Sequence, residues 1–312
     1  MLYSPAHMHI PDGFLTLVVS LICWAITISL LAVAIRKTNK MLGEKQVPLM
    51  GIMAAFIFAA QMLNFPVAGG TSGHLLGGAL AAIVLGPWAA MLVMTAVIVV
   101  QGLLFQDGGL VVMGANILNM GLLTAAVGYG LYRMVSKSSV TTRLTVSGIA
   151  AWLSVMTGAL AASFQLWLSG TAKLNIVVPA MLGVHTLIGL GEALITVAAL
   201  AFIFRTRPDL LDETSASAQG SRGWVYAGIL ITLLVVLLSP FASASPDGLE
   251  RVAKNMGFIN AGQSAPFHII PDYTIPFLGR TPLSTIFAGA LGMLIVLGVA
   301  FLLGRSLSKK TE

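Results

Sequence analysis

The stretch "LLGGALAAIVLGPWAAMLVMTAVIVVQGLLF", residues 75–105, decides how this chain is threaded through a membrane. It holds 31 residues without one charge. As a single helix it would be about 46 Å long, too long for a hydrocarbon core of roughly 30 Å without strong tilt. Gly86-Pro87 lies near its middle, and proline bends or ends a helix because it removes a backbone donor. The stretch is therefore predicted to form two helices, from about 72 to 85 and from 88 to 105.

The composition of the chain indicates a polytopic membrane protein. Hydrophobic residues make up 57% of it, charged residues only 9%, and the mean hydropathy is +0.93. An ordinary soluble domain carries about 25% charged residues. The lone Cys23 excludes a disulfide framework and a cysteine-based metal site. Neither a GxxxxGK[ST] nor an HExxH motif occurs, so the chain is not expected to be an enzyme and any ATP-driven step requires a partner.

The other apolar runs long enough to span a membrane supply seven further helices. They are 15–35, 47–65, 110–132, 147–168, 179–204, 224–241 and 284–304. With an external N-terminus and nine helices, thirteen of the 17 Lys and Arg residues fall inside. Without the break at residue 86, Arg133, Lys137 and Arg143 would lie outside. The positive-inside rule thus favours nine helices in a cell (inner) membrane, with the N-terminus outside.

The chain divides lengthwise at "RTRPDLLDETSASAQGSRG", residues 205–223, which is polar and typical of a flexible cytoplasmic linker. We expect an all-α fold with a seven-helix unit over 8–204. A two-helix unit over 224–304 is expected to carry an external loop at about 242–283. His268 is the one strong nitrogen ligand in that loop, so this unit is expected to assist metal loading without forming the primary site. Basic membrane loops explain the positive charge without a nucleic-acid partner.

Histidines on the external side suggest metal capture. His9 lies in the N-terminal segment and His74 follows a glycine-rich loop, and imidazole suits Zn, Cu, Fe and Ni. If the working protein begins at Met8, its amine, the backbone nitrogen of His9 and Nδ1 of His9 would form fused chelate rings. His74 would supply a fourth nitrogen. A planar set of four nitrogens is one that Ni(II) and Cu(II) favour.

Several polar residues near these histidines are candidates for supporting roles. Asp12 turns the N-terminal segment into the first helix together with Gly13. Asn64 is expected either to orient His74 or to cap the second helix, and Asp107 to cap or tighten its own turn.

His185 and Glu192 are seven residues apart and share one face of a predicted helix. Glu192 is the only acid in any predicted span, and ionisable groups inside a membrane are candidates for function. We interpret the two as a buried structural pair. The alternative is that Glu192 relays protons in a stand-alone secondary carrier or channel.

Several longer motifs resemble one family of transporters. They are "MHIPDGFL" at 8–15, "QMLNFPV" at 61–67, "GTSGHLLGGALAAIVLGPWAA" at 70–90, "DGG" at 107–109, "GANILNMG" at 114–121 and "HTLIGLGEALIT" at 185–196. Together they are similar to the CbiM/NikM family, the substrate-capture (S) components of energy-coupling-factor importers for cobalt and nickel. Residues 224–304 resemble the PDGLE/CbiN-type auxiliary subunit, fused here by the linker.

The resemblance implies a function, partners and ligands. The chain would be the substrate-specific membrane component of an ATP-driven nickel or cobalt importer, with nickel favoured over cobalt. Its partners would be a transmembrane coupling (T) subunit and cytoplasmic ATPases, and it would need no cofactor beyond the transported Ni²⁺ or Co²⁺. The metal ligands would be Met8, His9 and His74. Seven residues, "MLYSPAH", precede the family's start, so the working protein is expected to begin at Met8. The rival carrier is disfavoured because coupled carriers usually need several intramembrane charges.

Overall fold

A computed structural model describes residues 9–43, 46–211 and 223–308. The helices are α1 (Leu17–Met41), α2 (Val47–Met62), α3 (Gly78–Leu85), α4 (Pro87–Phe105), α5 (Met113–Asn116), α6 (Thr124–Met134), α7 (Val140–Leu168), α8 (Leu174–Thr206), α9 (Gly223–Leu238), α10 (Gly248–Met256) and α11 (Pro282–Leu307). A short antiparallel hairpin of β1 (Phe65–Val67) and β2 (Thr71–Gly73) precedes α3.

The predicted break at Gly86-Pro87 is confirmed. Helix α3 ends at Leu85 and α4 begins at Pro87, with Gly86 between them at φ 79 and ψ 160. That conformation is essentially restricted to glycine, and proline suits the first helical position because its missing N–H would be unpaired there anyway. The predicted start of the short helix at 72 is wrong, because residues 71–73 form β2 and α3 begins at Gly78.

In the described part of the chain, six helical segments are long and apolar enough to cross a membrane. They are Leu17–Met41, Pro87–Phe105, Val140–Leu168, Leu174–Thr206, Gly223–Phe241 and Pro282–Leu307. Helix α2 is apolar but shorter, and the eight residues of α3 extend only about 12 Å. The chain is therefore an all-α polytopic membrane protein, as predicted. The division into seven and two spans stays a prediction.

Helix α5 continues into α6 through a π-helical segment, Ile117–Leu123. The residues at both junctions, Ile117 and Thr124, have ordinary helical backbone angles, so residues 113–134 form one continuous helix. Such π segments often lie at functional sites, because the wider turn places side chains where a regular helix would not. Here the segment carries Asn119, which hydrogen-bonds to Gln165 of α7.

The last two long helices pack onto the N-terminal part of the bundle. Helix α11 lies against α2 and α4, α9 lies against α2, and α7 pairs with α8. Helix α4 is the most buried of the long helices, whereas α1 exposes many apolar side chains of the kind that face lipid. The two predicted units therefore share one helical bundle.

The N-terminal segment and several loops meet at one end of this bundle, which we call the site end. It comprises residues 9–16, 63–77, 106–112, 169–173 and 239–281. Backbone hydrogen bonds join these segments to one another, as from Gly109 N to Ile10 O, and to the neighbouring helix ends, as from Ile270 N to Leu104 O in α4. The loop predicted at 242–283 contains the amphipathic helix α10, which the sequence analysis did not predict.

Candidate metal centre

The N-terminal segment is held in place by a side-chain amide. Asn116 accepts a hydrogen bond from Ile10 N at 3.0 Å and donates one to Ile10 O at 3.0 Å, all within the buried interior. Gly109 N also donates to Ile10 O, at 2.9 Å. Because both polar groups of Ile10 are paired, the preceding residue, His9, has a fixed position.

Asp12 supports this arrangement from the other side of the segment. Its carboxylate accepts hydrogen bonds from three consecutive backbone N–H groups, those of Leu110, Val111 and Val112, at 2.9 to 3.1 Å. These donors precede α5 and would otherwise lack partners. Asp12 therefore fixes the 107–112 loop against the N-terminal segment.

His9 is buried, and its ring is oriented by the "DGG" turn. Nδ1 lies 3.0 Å from the carbonyl oxygen of Asp107, so Nδ1–H donates and the lone pair of the neutral ring is on Nε2. Nε2 is buried without a hydrogen-bond partner. The turn approaches closely because residue 108 is glycine: its φ is +97, and a Cβ there would lie 2.8 Å from Cβ of His9.

This orientation differs from the chelate predicted from the sequence. That chelate uses Nδ1 of His9, whereas in the structure Nδ1 donates to a carbonyl and Nε2 is the available nitrogen. Met8, whose amine would complete the chelate, lies outside the described residues. Asp107 acts on His9 mainly through its backbone. Its carboxylate is 3.8 Å from His9 Nδ1 and accepts a hydrogen bond from Tyr273 at 2.9 Å.

His74 faces His9 from the loop between β2 and α3. The two ring centroids are 5.9 Å apart. Both ring nitrogens of His74 are buried and have no hydrogen-bond partner. Burial, reinforced by the neighbouring His9, lowers the pKa of His74 from 6.5 to about 3. The ring is therefore neutral at physiological pH, with a lone pair available to a metal ion.

Glu192 positions the loop that carries His74. Its carboxylate is fully buried and accepts hydrogen bonds from Leu76 N at 2.6 Å and Gly77 N at 2.9 Å. Gln61 donates to the carbonyl oxygen of Leu76 at 2.8 Å. The backbone N–H and the backbone carbonyl of Leu76, two residues beyond His74, are therefore both hydrogen-bonded.

His185 and Glu192, predicted as a buried structural pair on one face of a helix, lie about 10 Å apart along α8, and their described hydrogen bonds go to different partners. His185 Nδ1 instead lies 2.7 Å from the carbonyl oxygen of Met181, one turn earlier. Asn64 takes neither of its predicted roles: helix α2 is capped by Leu63, and the side-chain oxygen of Asn64 is buried without a partner. Asn64 lines a different cavity from His74.

A cavity of about 70 Å³ lies between the histidines. Its polar lining consists of His9, His74, Asn116, Asn119, His185 and Asp247. On this measure a single water needs roughly 10–15 Å³, so the cavity has room for a metal ion together with several waters.

Other candidate ligands lie outside this cavity or outside the described chain. His268 is exposed and does not line the cavity. Within 9–43, 46–211 and 223–308, no group of three or more His, Cys, Asp or Glu side chains has the spacing of a metal site. In this part of the chain, the histidine pair is the core of the candidate centre.

Three polar residues of the cavity were not predicted as site residues: Asn116, Asn119 and Asp247. Asn116 and Asn119 lie in the quoted motif "GANILNMG", where an amide within an apolar run was the available signal. His185, predicted as a structural residue, also lines the cavity. Asp247 begins α10 and is almost fully buried, and burial raises the pKa of its carboxyl well above the ordinary value. No local pattern indicated that it lines the same cavity as the histidines.

Comparison with known proteins identifies two sequence families. Residues 9–210 match the CbiM family, described as a cobalt uptake substrate-specific transmembrane region, and residues 222–309 match the PDGLE domain. A putative fused nickel transport protein NikMN of Archaeoglobus fulgidus is 36% identical over 96% of this chain and 98% of its own. The fused nickel transport protein NikMN of Rhodobacter capsulatus is 29% identical over 97% of this chain and 99% of its own.

Solved structures show the same fold for about two thirds of the chain. A crystal structure described as a transition metal transporter is 34% identical, with a TM-score of 0.59 over 68% of this chain and all of that one. A truncated transition metal transporter gives 36% identity and a TM-score of 0.58 over 64% of this chain and 99% of that one. The family match covers well over half of the sequence, and the chain therefore belongs to the CbiM family and carries a PDGLE domain at its C-terminal end.

Proposed function

We propose that this chain captures a divalent transition-metal ion, nickel in preference to cobalt, as the substrate-specific membrane component of an ATP-driven importer. The observation that carries the proposal is the pair of buried imidazoles, His9 and His74, around a cavity of about 70 Å³. Three of their four ring nitrogens have no hydrogen-bond partner. Unpaired buried polar atoms are costly, and a metal ion would satisfy two of the three, Nε2 of His9 and one nitrogen of His74.

The donor atoms favour a transition metal over magnesium or calcium. Mg²⁺ and Ca²⁺ take oxygen ligands, whereas the two side chains at the core of this site, His9 and His74, offer imidazole nitrogens. Imidazole nitrogen suits later transition metals, and the affinity order places Ni²⁺ above Co²⁺. The relatives named as nickel transport proteins support the same choice.

The proposed ligand set is Met8, His9 and His74. Asp12, Asn116 and Asp107 hold His9 by the hydrogen bonds described above, and Glu192 holds the loop of His74. This support fixes the ligands before the ion arrives. The site end is proposed to face the outside of the cell, so that the ion is captured there and released inward.

Energy for uptake is proposed to come from partner subunits, a transmembrane coupling subunit and cytoplasmic ATPases. The chain has no phosphate-binding motif of its own. The rival, proton-driven mechanism depends on Glu192. Its carboxylate is engaged by two backbone N–H groups next to His74, which supports a structural role.

The test of metal capture is His74→Ala, with His268→Ala as the matched control. Nickel affinity of the purified proteins is measured by competition with a chromogenic chelator. His74→Ala should lower the affinity by at least about a hundredfold, because a ligand is lost, while His268→Ala keeps it. Wild-type affinity in His74→Ala would contradict the proposed site.

The test of energy coupling is uptake of nickel and cobalt by cells that express the chain with or without ATPase partners. Uptake should require the ATPases and persist when the proton gradient is collapsed. Uptake by the chain alone that disappears with the gradient would support the secondary carrier instead.

A further inference from the structure

The PDGLE domain reaches into the N-terminal unit at the metal cavity. Ser72, in β2 just before His74, donates from its backbone N–H to the carbonyl oxygen of Pro246 at 2.8 Å. Its hydroxyl donates to the carbonyl oxygen of Ser245, also at 2.8 Å. Residues 245 and 246 are thus bound to the strand that presents His74.

The next residues of the chain form one wall of the cavity. Asp247, Gly248 and Leu249 line it together with the histidines. Asp247 is 2% exposed and caps α10 by accepting a hydrogen bond from Glu250 N at 2.7 Å. Gly248 packs directly on His185, since a Cβ at this position would lie 2.8 Å from Cε1 of the ring.

Asp247 is the carboxylic acid of this cavity. The other described residues that line it carry imidazole, amide or apolar side chains, or are glycine. The described ion pairs give Asp247 no cationic partner. The amine of Met8 and the imidazoles of His9 and His74, the proposed ligands, are neutral donors, so a divalent ion that they hold would be a buried charge without compensation, which is unfavourable in a low-dielectric interior. A carboxylate at the wall of the same cavity would compensate that charge.

We propose that Asp247 faces the captured ion and supplies the negative charge that stabilises it, so that the PDGLE domain completes the metal site of the N-terminal unit. This rests on the proposed function of the histidine pair. It replaces the expectation from the sequence that the C-terminal unit only assists loading. The relevant C-terminal residue is then Asp247, inside the cavity, and not the exposed His268.

The test is Asp247→Asn in the full-length protein. Asparagine caps a helix as well as aspartate does, so α10 is kept while the charge is removed. The dissociation constant for Ni²⁺ should rise by about tenfold or more, with thermal unfolding in the absence of metal unchanged. Glu250→Gln is the matched control: it removes a charge from the same helix, at a residue that pairs with Lys254 and does not line the cavity. Its affinity should stay at the wild-type value.

Two further measurements keep the proposal testable. Asp247→Ser, another good capping residue, should weaken Ni²⁺ binding as Asp247→Asn does. Infrared difference spectra of the wild-type protein should show a carboxylate band that Ni²⁺ shifts. Wild-type affinity in both variants, or no carboxylate change in the spectra, would overturn the proposal. If His74→Ala still abolishes binding in that case, the histidine site stands and only the role of Asp247 falls.

Discussion

At the scale of single residues, the side chain of Asn116 makes hydrogen bonds to the backbone of Ile10 like those that a neighbouring β-strand would make. Its amide pairs with both backbone groups of Ile10 and thereby fixes His9. Asn116→Ala should leave Ile10 N buried and unpaired, at about 1–3 kcal/mol, while Ile10 O keeps its hydrogen bond from Gly109 N. We expect a lower unfolding temperature and weaker Ni²⁺ binding, measured on the same purified sample. Asn175→Ala, at an exposed position of α8, is the control and should change neither.

Glu192 gives a second prediction at this scale. Glu192→Gln keeps one acceptor for the backbone of residues 76 and 77, and Glu192→Ala keeps none. The unfolding temperature should therefore fall from wild type to glutamine to alanine, and Ni²⁺ binding should weaken less than in His74→Ala. If the Glu192→Gln protein were instead as stable as the wild type but had lost proton-driven metal uptake, Glu192 would be identified as a proton relay.

Part of this residue-level arrangement could be predicted from the sequence. His9 and His74 were placed on one side of the membrane by the charge distribution and by the family motifs, and the structure brings them together. The partners of Glu192 could not be predicted. They are backbone groups more than a hundred residues away, and they depend on how α8 packs beside the hairpin.

At the scale of elements, Gly86 makes the break between α3 and α4 testable. Its backbone conformation is one that costs other residues about 1–3 kcal/mol. Gly86→Ala should destabilise the protein by that amount in reversible unfolding. Gly130→Ala in α6 is the matched control: a Cβ there meets nothing within 4 Å, so it should be neutral or stabilise by up to about 1 kcal/mol. Equal stabilities for the two variants would contradict the assigned role of the break.

The elements differ in how well the sequence predicts them. The Gly86-Pro87 break follows from local chemistry and the thickness of a membrane, and it was predicted. The hairpin before α3 and helix α10 were missed. Each is short, and residues 72 and 245–246 of the two segments bind each other, so their conformations depend on contacts that are distant in sequence.

At the scale of the whole molecule, the orientation in the membrane is open to a labelling experiment. Ser264 is exposed at the proposed outer end and Ser138 at the opposite end. Ser264→Cys should react with a membrane-impermeant thiol reagent in intact cells, and Ser138→Cys only after permeabilisation. The native Cys23 is buried and provides a low background. The reverse labelling pattern would place the N-terminus inside.

The division into units of residues 8–204 and 224–304 stays a prediction. Their interlocking was not predicted. Asp12 pairs with Gln263, and Tyr273 donates to Asp107 while its ring stacks on Phe105 at 4.6 Å. These contacts lie between residues of the two units, so they cannot be predicted when each unit is considered as a separate stretch of sequence.

The pairing of residues 12 and 263 also has a consequence for how the protein is made. A ribosome makes the chain from its N-terminus, so the His9 segment is synthesised long before residues 245–273. Until those residues exist, Asp12 lacks its pairing with Gln263 and Asp107 lacks the hydrogen bond from Tyr273. The site end can therefore reach its final set of contacts only after most of the chain has been synthesised.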